Sequence, residues 1–466
     1  MIVLRCKELS NATDILPACG RFLTPDNISD ATRRIYNARA LSILINPSRL
    51  QASSPRTSSV PLQFGAALPT PEFRDIQRKL ALDHCKWDCQ VGDVSTLFRQ
   101  PLLMTADEWV RLKRFAEDLA NELALAEEEL FRRPQLHKML GMPKPLCSVL
   151  KDAALLGATP SAVRAMRFDF HYTTEGWRIS EVNSDVPGGY IESSVFAEMV
   201  AECVPQAALP EYPARVWLEA ITSTVSEQRS VALLSAVGFL EDQQVTAFLA
   251  VQLEQRGIET VLLHHPAQLR WEAGYASTMI AGKRVQLGAV VRFYQGEWLA
   301  GTRDNRGWQW LFARGKTPVT NPATAVLTES KRFPLTWEFL SNGMSQWQKL
   351  LPQCCDPKDE CWRNGDEWVL KMAYSNTGDE VHMRDLMSRE AWSKVCRAVR
   401  RNPEHWVVQR RFQPRAIESD VGPVHPCIGI YVINGSVAGA YARVSRGQIV
   451  DYAAMDAALL ILETQC

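Results

Sequence analysis

The chain has 466 residues, 46% hydrophobic and 22% charged, with a formal net charge of +0. That length predicts two or three domains with ample apolar material for their cores. Balanced charge without a dense Lys/Arg block excludes the usual nucleic-acid binders, and apolar runs such as VALLSAVGFL (231–240) are cut by EDQQ well short of a membrane span.

At the N-terminus, MIVLRCKELS lacks a secretory apolar region with its cleavage site, so the chain reads as cytoplasmic, without a membrane partner. Residues 1–80 form an N-terminal segment without a readable role, and within it the Ser- and Pro-rich stretch 46–72 predicts a loop. Residues 81–160 read as a helical region. His84, Cys85 and Cys89 could share a helical face, and Cys354, Cys355 and Cys361 cluster later; neither group has the paired short spacings of a zinc site. From Thr105 to Arg133 the apolar residues Trp109, Leu112, Phe115, Leu119, Leu123 and Leu125 predict a long amphipathic helix, with Thr105 and Glu108 as a capping box.

In MRFDFHYTTEGWRISEVNSDVPGG (166–189), Met166, Phe168 and Phe170 alternate with Arg167, Asp169 and His171, the signature of a strand with one apolar and one polar face. Thr174-Glu175-Gly176 fits a three-residue hairpin loop. If Thr173 and Trp177 close it, Asp169 lies opposite Glu181 and Arg167 opposite Asn183. Two facing carboxylates repel, and a divalent cation would relieve that. Asp169, Glu181 and Asn183 offer only hard oxygen donors, which suits Mg²⁺. The fork of Arg167 suits a phosphate or acyl-phosphate oxygen. The bland alternative is an exposed hairpin whose charges pair among themselves.

Further on, VALLSAV (231–237), a helix after Glu241 and TVLLHH (260–265) predict one parallel βαβ unit without a dinucleotide fingerprint. WVLKMAY (368–374) and WVVQRRF (406–412) are strand-like. IGIYVINGSVAGAYARVS (428–445) is a hairpin turning at Asn434-Gly435. The class is mixed α and β.

R-F-D-F followed by E-V-N-S-D resembles the R-x-D and E-x-N signature of the glutathionylspermidine synthase family, an ATP-grasp branch. Similarity continues through VRFYQGEWL (291–299), NPATAVLTESKRFPLTWEFL (321–340), WVLKMAYSNTGDEV (368–381), VVQRRFQP and the closing hairpin. The resemblance implies a circularly permuted ATP-grasp fold with a βαβ pre-ATP-grasp domain: the metal hairpin and βαβ domain in residues 161–300, the nucleotide region in 301–466. It implies an ATP- and Mg²⁺-dependent ligase joining a carboxylate to an amine through an acyl phosphate; the alternatives are a nucleotide-binding protein without ligase activity and a phosphotransferase using the same metal site. In that reading Arg167 stabilises the transferred phosphoryl group, Asp169, Glu181 and Asn183 hold Mg²⁺, and Glu297 faces the amine. Lys331, Lys371, Ser375, Gly378, Gln409 and Arg443 contact ATP. Lys331 could instead be a solvated helix end, Arg443 could pair with Asp451, and Glu297 could cap a turn. The family's loop after the strand lysine carries Arg and two glycines; here it reads Ser375-Asn376-Thr377-Gly378. No segment resembles the amidase domain of some family members.

Overall fold

The apolar stripe predicted from Thr105 folds as a 27-residue helix, Ala106–Arg132. Trp109, Leu112, Leu119 and Leu123 are buried, whereas Leu125 is 53% exposed: two residues after Leu123, it falls off the i, i+3, i+4 stripe. Thr105 stands at the N-cap without a side-chain bond, and the Glu108 carboxylate accepts from the Trp177 indole instead of closing a capping box. The structure, a computed structural model, describes residues 60–91, 94–156, 163–225, 230–302, 307–363, 365–375 and 380–463, all within the unit Ser59–Cys466. The expected 46–72 loop lies outside them as far as residue 59. Beyond that it is structured: Leu62–Phe64 is a strand and a helix, Thr70–Asp83, begins at Thr70, because Leu62 enters the core and pairs with Met104.

The largest antiparallel sheet runs Met455–Ala457, Ser436–Ser445, Gly422–Ile433, Ala165–Thr173, Gly176–Asn183, with Ile417–Ser419 added to Gly422–Ile433. Two segments distant in sequence thus share one sheet. Asn434 and Gly435 turn its central hairpin at φ of +49° and +88°, the left-handed pair that a two-residue connection demands. On the sheet's inner face Phe168, Phe170, Ile430 and Val432 pack with Leu112, Leu119 and Leu123 of the long helix, so the odd-numbered residues 167, 169 and 171 face the other way.

That other face looks onto a four-stranded sheet ordered Cys354–Cys355, Trp406–Arg410, Trp368–Met372, Val381–Met383. The hairpin 165–183 precedes this small sheet in the chain and the strands 417–457 follow it, the permuted order expected.

The βαβ unit is present: Ser230–Ser235 and Thr260–Leu263 are parallel and joined by the helix Leu240–Glu254. Lys283–Phe293 lies parallel on the other side of Ser230–Ser235. His264 and His265 follow the strand end, where His265 Nδ1 accepts from Ala267 N. This sheet is clamped to the hairpin by Asn321. Its Nδ2 donates to the carbonyls of Ala165 (2.7 Å), Ser184 (3.1 Å) and Asp185 (2.8 Å), and its Oδ1 accepts from Ala165 N (2.6 Å). No helix among the described residues is long and apolar enough to cross a membrane.

Candidate active site

The hairpin that carries Asp169 and Glu181 is built differently from the expectation, yet it reaches the expected pairing. Thr173 pairs with Gly176, not Trp177, and Tyr172 with Trp177. Continued unbroken, that register would set Asp169 opposite Ser180 and turn Glu181 to the core face. A bulge between Asp169 and Phe170 absorbs Ser180 as an extra residue, so Asp169 stands opposite Glu181 and Arg167 opposite Asn183 after all. The bulge also frees the Ser180 carbonyl from the ladder, and Lys371 Nζ donates to it at 3.0 Å. Sequence alternation carries no marker for this extra residue.

Between the large and small sheets lies a cavity of ≈ 910 Å³ counting its open mouth. Arg167, Asp169, Glu181 and Asn183 line it from the hairpin, Lys371 and Gln409 from the small sheet, and Arg443 from the strand Ser436–Ser445. A second hollow shares Ser180, Glu181, Lys371 and Gln409 and adds Lys331 and Glu329 to a wall of Phe333, Trp347 and Leu351. The structure therefore gathers eight of the candidate residues around two hollows that share Ser180, Glu181, Lys371 and Gln409. Ser375 touches it indirectly, its carbonyl accepting from Lys331 Nζ at 2.8 Å. Gly378 lies outside the described residues. Glu297, in the short helix Gly296–Leu299, lines neither hollow; Asp185, Glu329 and Arg292 are its electrostatic neighbours.

The polar face is a buried network, not an open surface. Arg167 Nε and Nη2 donate to the two oxygens of Asp169 (2.8 and 3.0 Å), Nη1 donates to Gly188 O (3.2 Å), and the guanidinium lies 5.5 Å over the Tyr441 ring. The fork expected to grip a phosphate is closed on Asp169, leaving two of its five N–H donors. Asn183 Nδ2 also donates to Asp169 Oδ2 (3.1 Å), which leaves the Asn183 carbonyl for another partner. Lys331 Nζ stands 3.3 Å from Glu181 Oε2, so it is no solvated helix end. Burial alone would raise Glu181, but Lys331 and Lys371 outweigh it and bring its pKa to about 2. Burial lowers Lys371, with Glu181 pulling the other way. Burial likewise takes His171 down to about 4; its Nε2 lies 3.0 Å from Ser180 Oγ.

Among the residues lining the two hollows, six cations (Arg167, Lys331, Lys371, Arg410, Arg411 and Arg443) thus stand against three carboxylates, Asp169, Glu181 and Glu329. The charge that compensates Asp169 and Glu181 comes from the chain itself, and the surplus is positive, the sign that receives a polyanion. Arg443 Nη2 donates to the Asp451 carbonyl (2.9 Å), so that alternative partner holds through backbone. At the turn after the hairpin, Gly189 has φ +86° and an added Cβ would stand 2.6 Å from the Tyr431 hydroxyl. That close approach lets Gly188 O accept from Tyr431 (2.7 Å) as well as from Arg167. Sequence reasoning missed Ser180, Tyr441, Glu329 and the sealed pair of Asp185 with Arg292; the last joins residues with no local pattern to connect them.

No curated protein matches the chain. Among solved structures, a glutathione synthetase-like effector from Globodera pallida is similar at 14% identity and a TM-score of 0.52, covering 77% of this chain and 89% of its own. A D-alanyl-alanine synthetase A from Vibrio cholerae is similar at 8% identity and a TM-score of 0.31, covering 51% of this chain and 89% of its own. The first likeness gives the fold, ATP-grasp. The family model for the glutathionylspermidine synthase pre-ATP-grasp region matches residues 91–461, and the chain, matched over most of its length, belongs to that family.

Proposed function

We propose that the chain is an ATP- and Mg²⁺-dependent ligase that joins a carboxylate to an amine. The observation that carries this is the cavity's composition: Asp169, Glu181 and Asn183 on one sheet face Lys371 and Gln409 on the other, with a surplus of cationic groups. Phosphoryl transfer is mostly positioning and charge stabilisation, and the cavity has the groups for both. Lys331 and Lys371 would hold ATP phosphates, with Gln409 and the Ser375 segment beside them. The two uncommitted N–H groups of Arg167, fixed by Asp169 and Tyr441, would meet the transferred group, and Arg443 the acyl end.

The donor set fits Mg²⁺: every candidate ligand is a hard oxygen, and Mg²⁺ takes one or two carboxylates and completes its shell with water and phosphate. Glu181 is the more available acid, because Asp169 already accepts three hydrogen bonds. When bound, the ion would supply charge neutralisation at the phosphates. The γ-phosphoryl group of ATP passes to the substrate carboxylate; the amine then attacks the acyl phosphate and phosphate leaves, forming the amide. Glu297 is assigned to the amine. Burial first, and Asp185 next, raise it to about 8, so it is protonated in the free protein at neutral pH and must release that proton as an ammonium arrives.

Asp169→Asn and Glu181→Gln are each expected to eliminate Mg²⁺-dependent ADP release, screened across a panel of acids paired with amines. ADP release retained by both variants sinks the assignment. A second reading, nucleotide binding without ligation, is favoured by the sequence after Lys371, which lacks the family's Arg and second glycine. Tight MgATP binding with no ADP release from any acid–amine pair would select it, whereas trapping of an acyl phosphate by hydroxylamine would exclude it.

A further inference from the structure

We propose that Lys86, which lines neither hollow, is a positioning residue that holds Arg443 in place through Asp456. The proposal rests on the reading of the cavity as a phosphoryl-transfer site, and it concerns a residue that the family motifs do not touch.

Lys86 follows the helix Thr70–Asp83 and is 4% exposed. Its Nζ lies 2.6 Å from Glu192 Oε1, 2.8 Å from Asp88 Oδ1 and 3.8 Å from Asp456 Oδ2. Three carboxylates from three separate elements therefore converge on one ammonium, more than a simple ion pair needs. The excess negative charge has a nearby outlet: Asp456, on the strand Met455–Ala457, is the direct cross-strand partner of Arg443. Directly opposed residues share a face of the sheet, so Asp456 lies on the cavity face beside Arg443, on the strand one further from the hairpin.

Arg443 needs such a hold. It shares the cavity with Arg167 and Lys371, whose charges repel it, and among the described residues its guanidinium makes one hydrogen bond, to the Asp451 carbonyl. Asp456 supplies the opposing charge only while ionised. Burial, with Glu192 adding to it, raises Asp456 to about 7, and Lys86 is the largest influence holding that rise in check, so Asp456 is ionised at pH 8 with Lys86 beside it. Without Lys86 at 3.8 Å, Asp456 would rise further and hold its proton at pH 8 as well, and the anchor beside Arg443 would weaken although no group on the cavity wall had changed.

The test titrates inorganic phosphate into the full chain by calorimetry at pH 8, with and without MgADP. Lys86→Met is expected to weaken phosphate binding about tenfold, the worth of one charge-assisted contact, while MgADP affinity stays unchanged. Asp456→Asn, nearly isosteric, should reproduce the loss and carries the test alone if Lys86→Met fails to fold. Lys86→Arg, which keeps the cation, should restore phosphate affinity. In an Arg443→Lys background, Lys86→Met should cost little more, because the two residues act in series. A merely structural lysine would give additive losses there; additivity, or intact phosphate affinity in Lys86→Met and Asp456→Asn, overturns the proposal. So does a wild-type chain that binds no phosphate. Wild-type binding of phosphate but not MgADP would defeat the ligase reading and leave the Lys86–Asp456–Arg443 linkage standing.

Discussion

Arg167 with Asp169 and Arg292 with Asp185 are the same chemical pair, each held by two N–H donors, the first side-on through Nε and Nη2 and the second end-on through Nη1 and Nη2, set in two different places. The first pair sits on one strand, its side chains 9% and 12% exposed, with a cavity open beside it. The second is sealed at 0% and 1% and joins the hairpin's exit to the βαβ sheet. Asp185 also accepts from Gly296 N (2.8 Å), and Arg292 Nη1 donates to Tyr294 O (2.7 Å), so this second pair is embedded in backbone from both sides. A buried pair is weak evidence of net stabilisation, but breaking one strands a charge. The contrast teaches that a two-donor ion pair does not by itself mark a site; on the proposed reading, what sets Arg167 and Asp169 apart is the open space beside them.

The largest expected effect separates the two. Asp185→Asn or Arg292→Met should lower unfolding stability by about 3–5 kcal/mol, since each leaves an uncompensated buried partner, read as a shifted denaturation midpoint with unchanged slope. Arg167→Met should lower ADP release by about 10²–10³-fold, the usual worth of one preorganised charge stabiliser. Its denaturation midpoint should move less than that of Arg292→Met, because the stranded Asp169 can be reached by solvent. If Arg167→Met unfolds the chain as readily as Arg292→Met, the two pairs are equivalent scaffolding and the distinction fails.

Legibility in the sequence followed the range of the interactions. The alternation from Met166 to His171 and the Asn434-Gly435 turn are local patterns, and both fold as read. The pairing of Asp169 with Glu181 forms although the loop is one residue shorter than the alternation predicts; Ser180 makes up the difference, and an unpaired residue leaves no trace in hydrophobic periodicity. The cations that face the two acids leave no mark in spacing, because Lys331 and Lys371 lie 150 and 190 residues beyond Glu181. Arg292 and Asp185, 107 positions apart, were illegible for the same reason. Leu125 departs in the other direction: an apolar residue beside the stripe, it is exposed instead of joining it.

The smallest effect sharpens the comparison by pH, because a displaced carboxyl sits near each pair. Glu181, beside the open pair, is held at about 2: burial opposes its charge, but Lys331 and Lys371 prevail. Glu297, beside the sealed pair, is raised to about 8 by burial and then by Asp185. An unfolded glutamate titrates near 4.3, so the signs differ. Glu181 contributes stability that is present above about pH 4.3 and is lost as pH falls towards 2. Glu297 contributes stability that is present below about pH 4.3 and is lost as pH rises towards 8, since the fold must then accept a charge it disfavours. Glu329, raised by burial to about 7, shares that downward slope. Melting temperatures of wild type and Glu297→Gln should therefore nearly coincide at pH 5 and separate by pH 8.5, with the variant the more stable. Asp185→Asn should shrink the separation, because it removes the second cause of the displacement. Parallel curves from pH 5 to 8.5 would mean that Glu297 is already charged and paired at neutral pH, and that no proton need leave when an ammonium arrives.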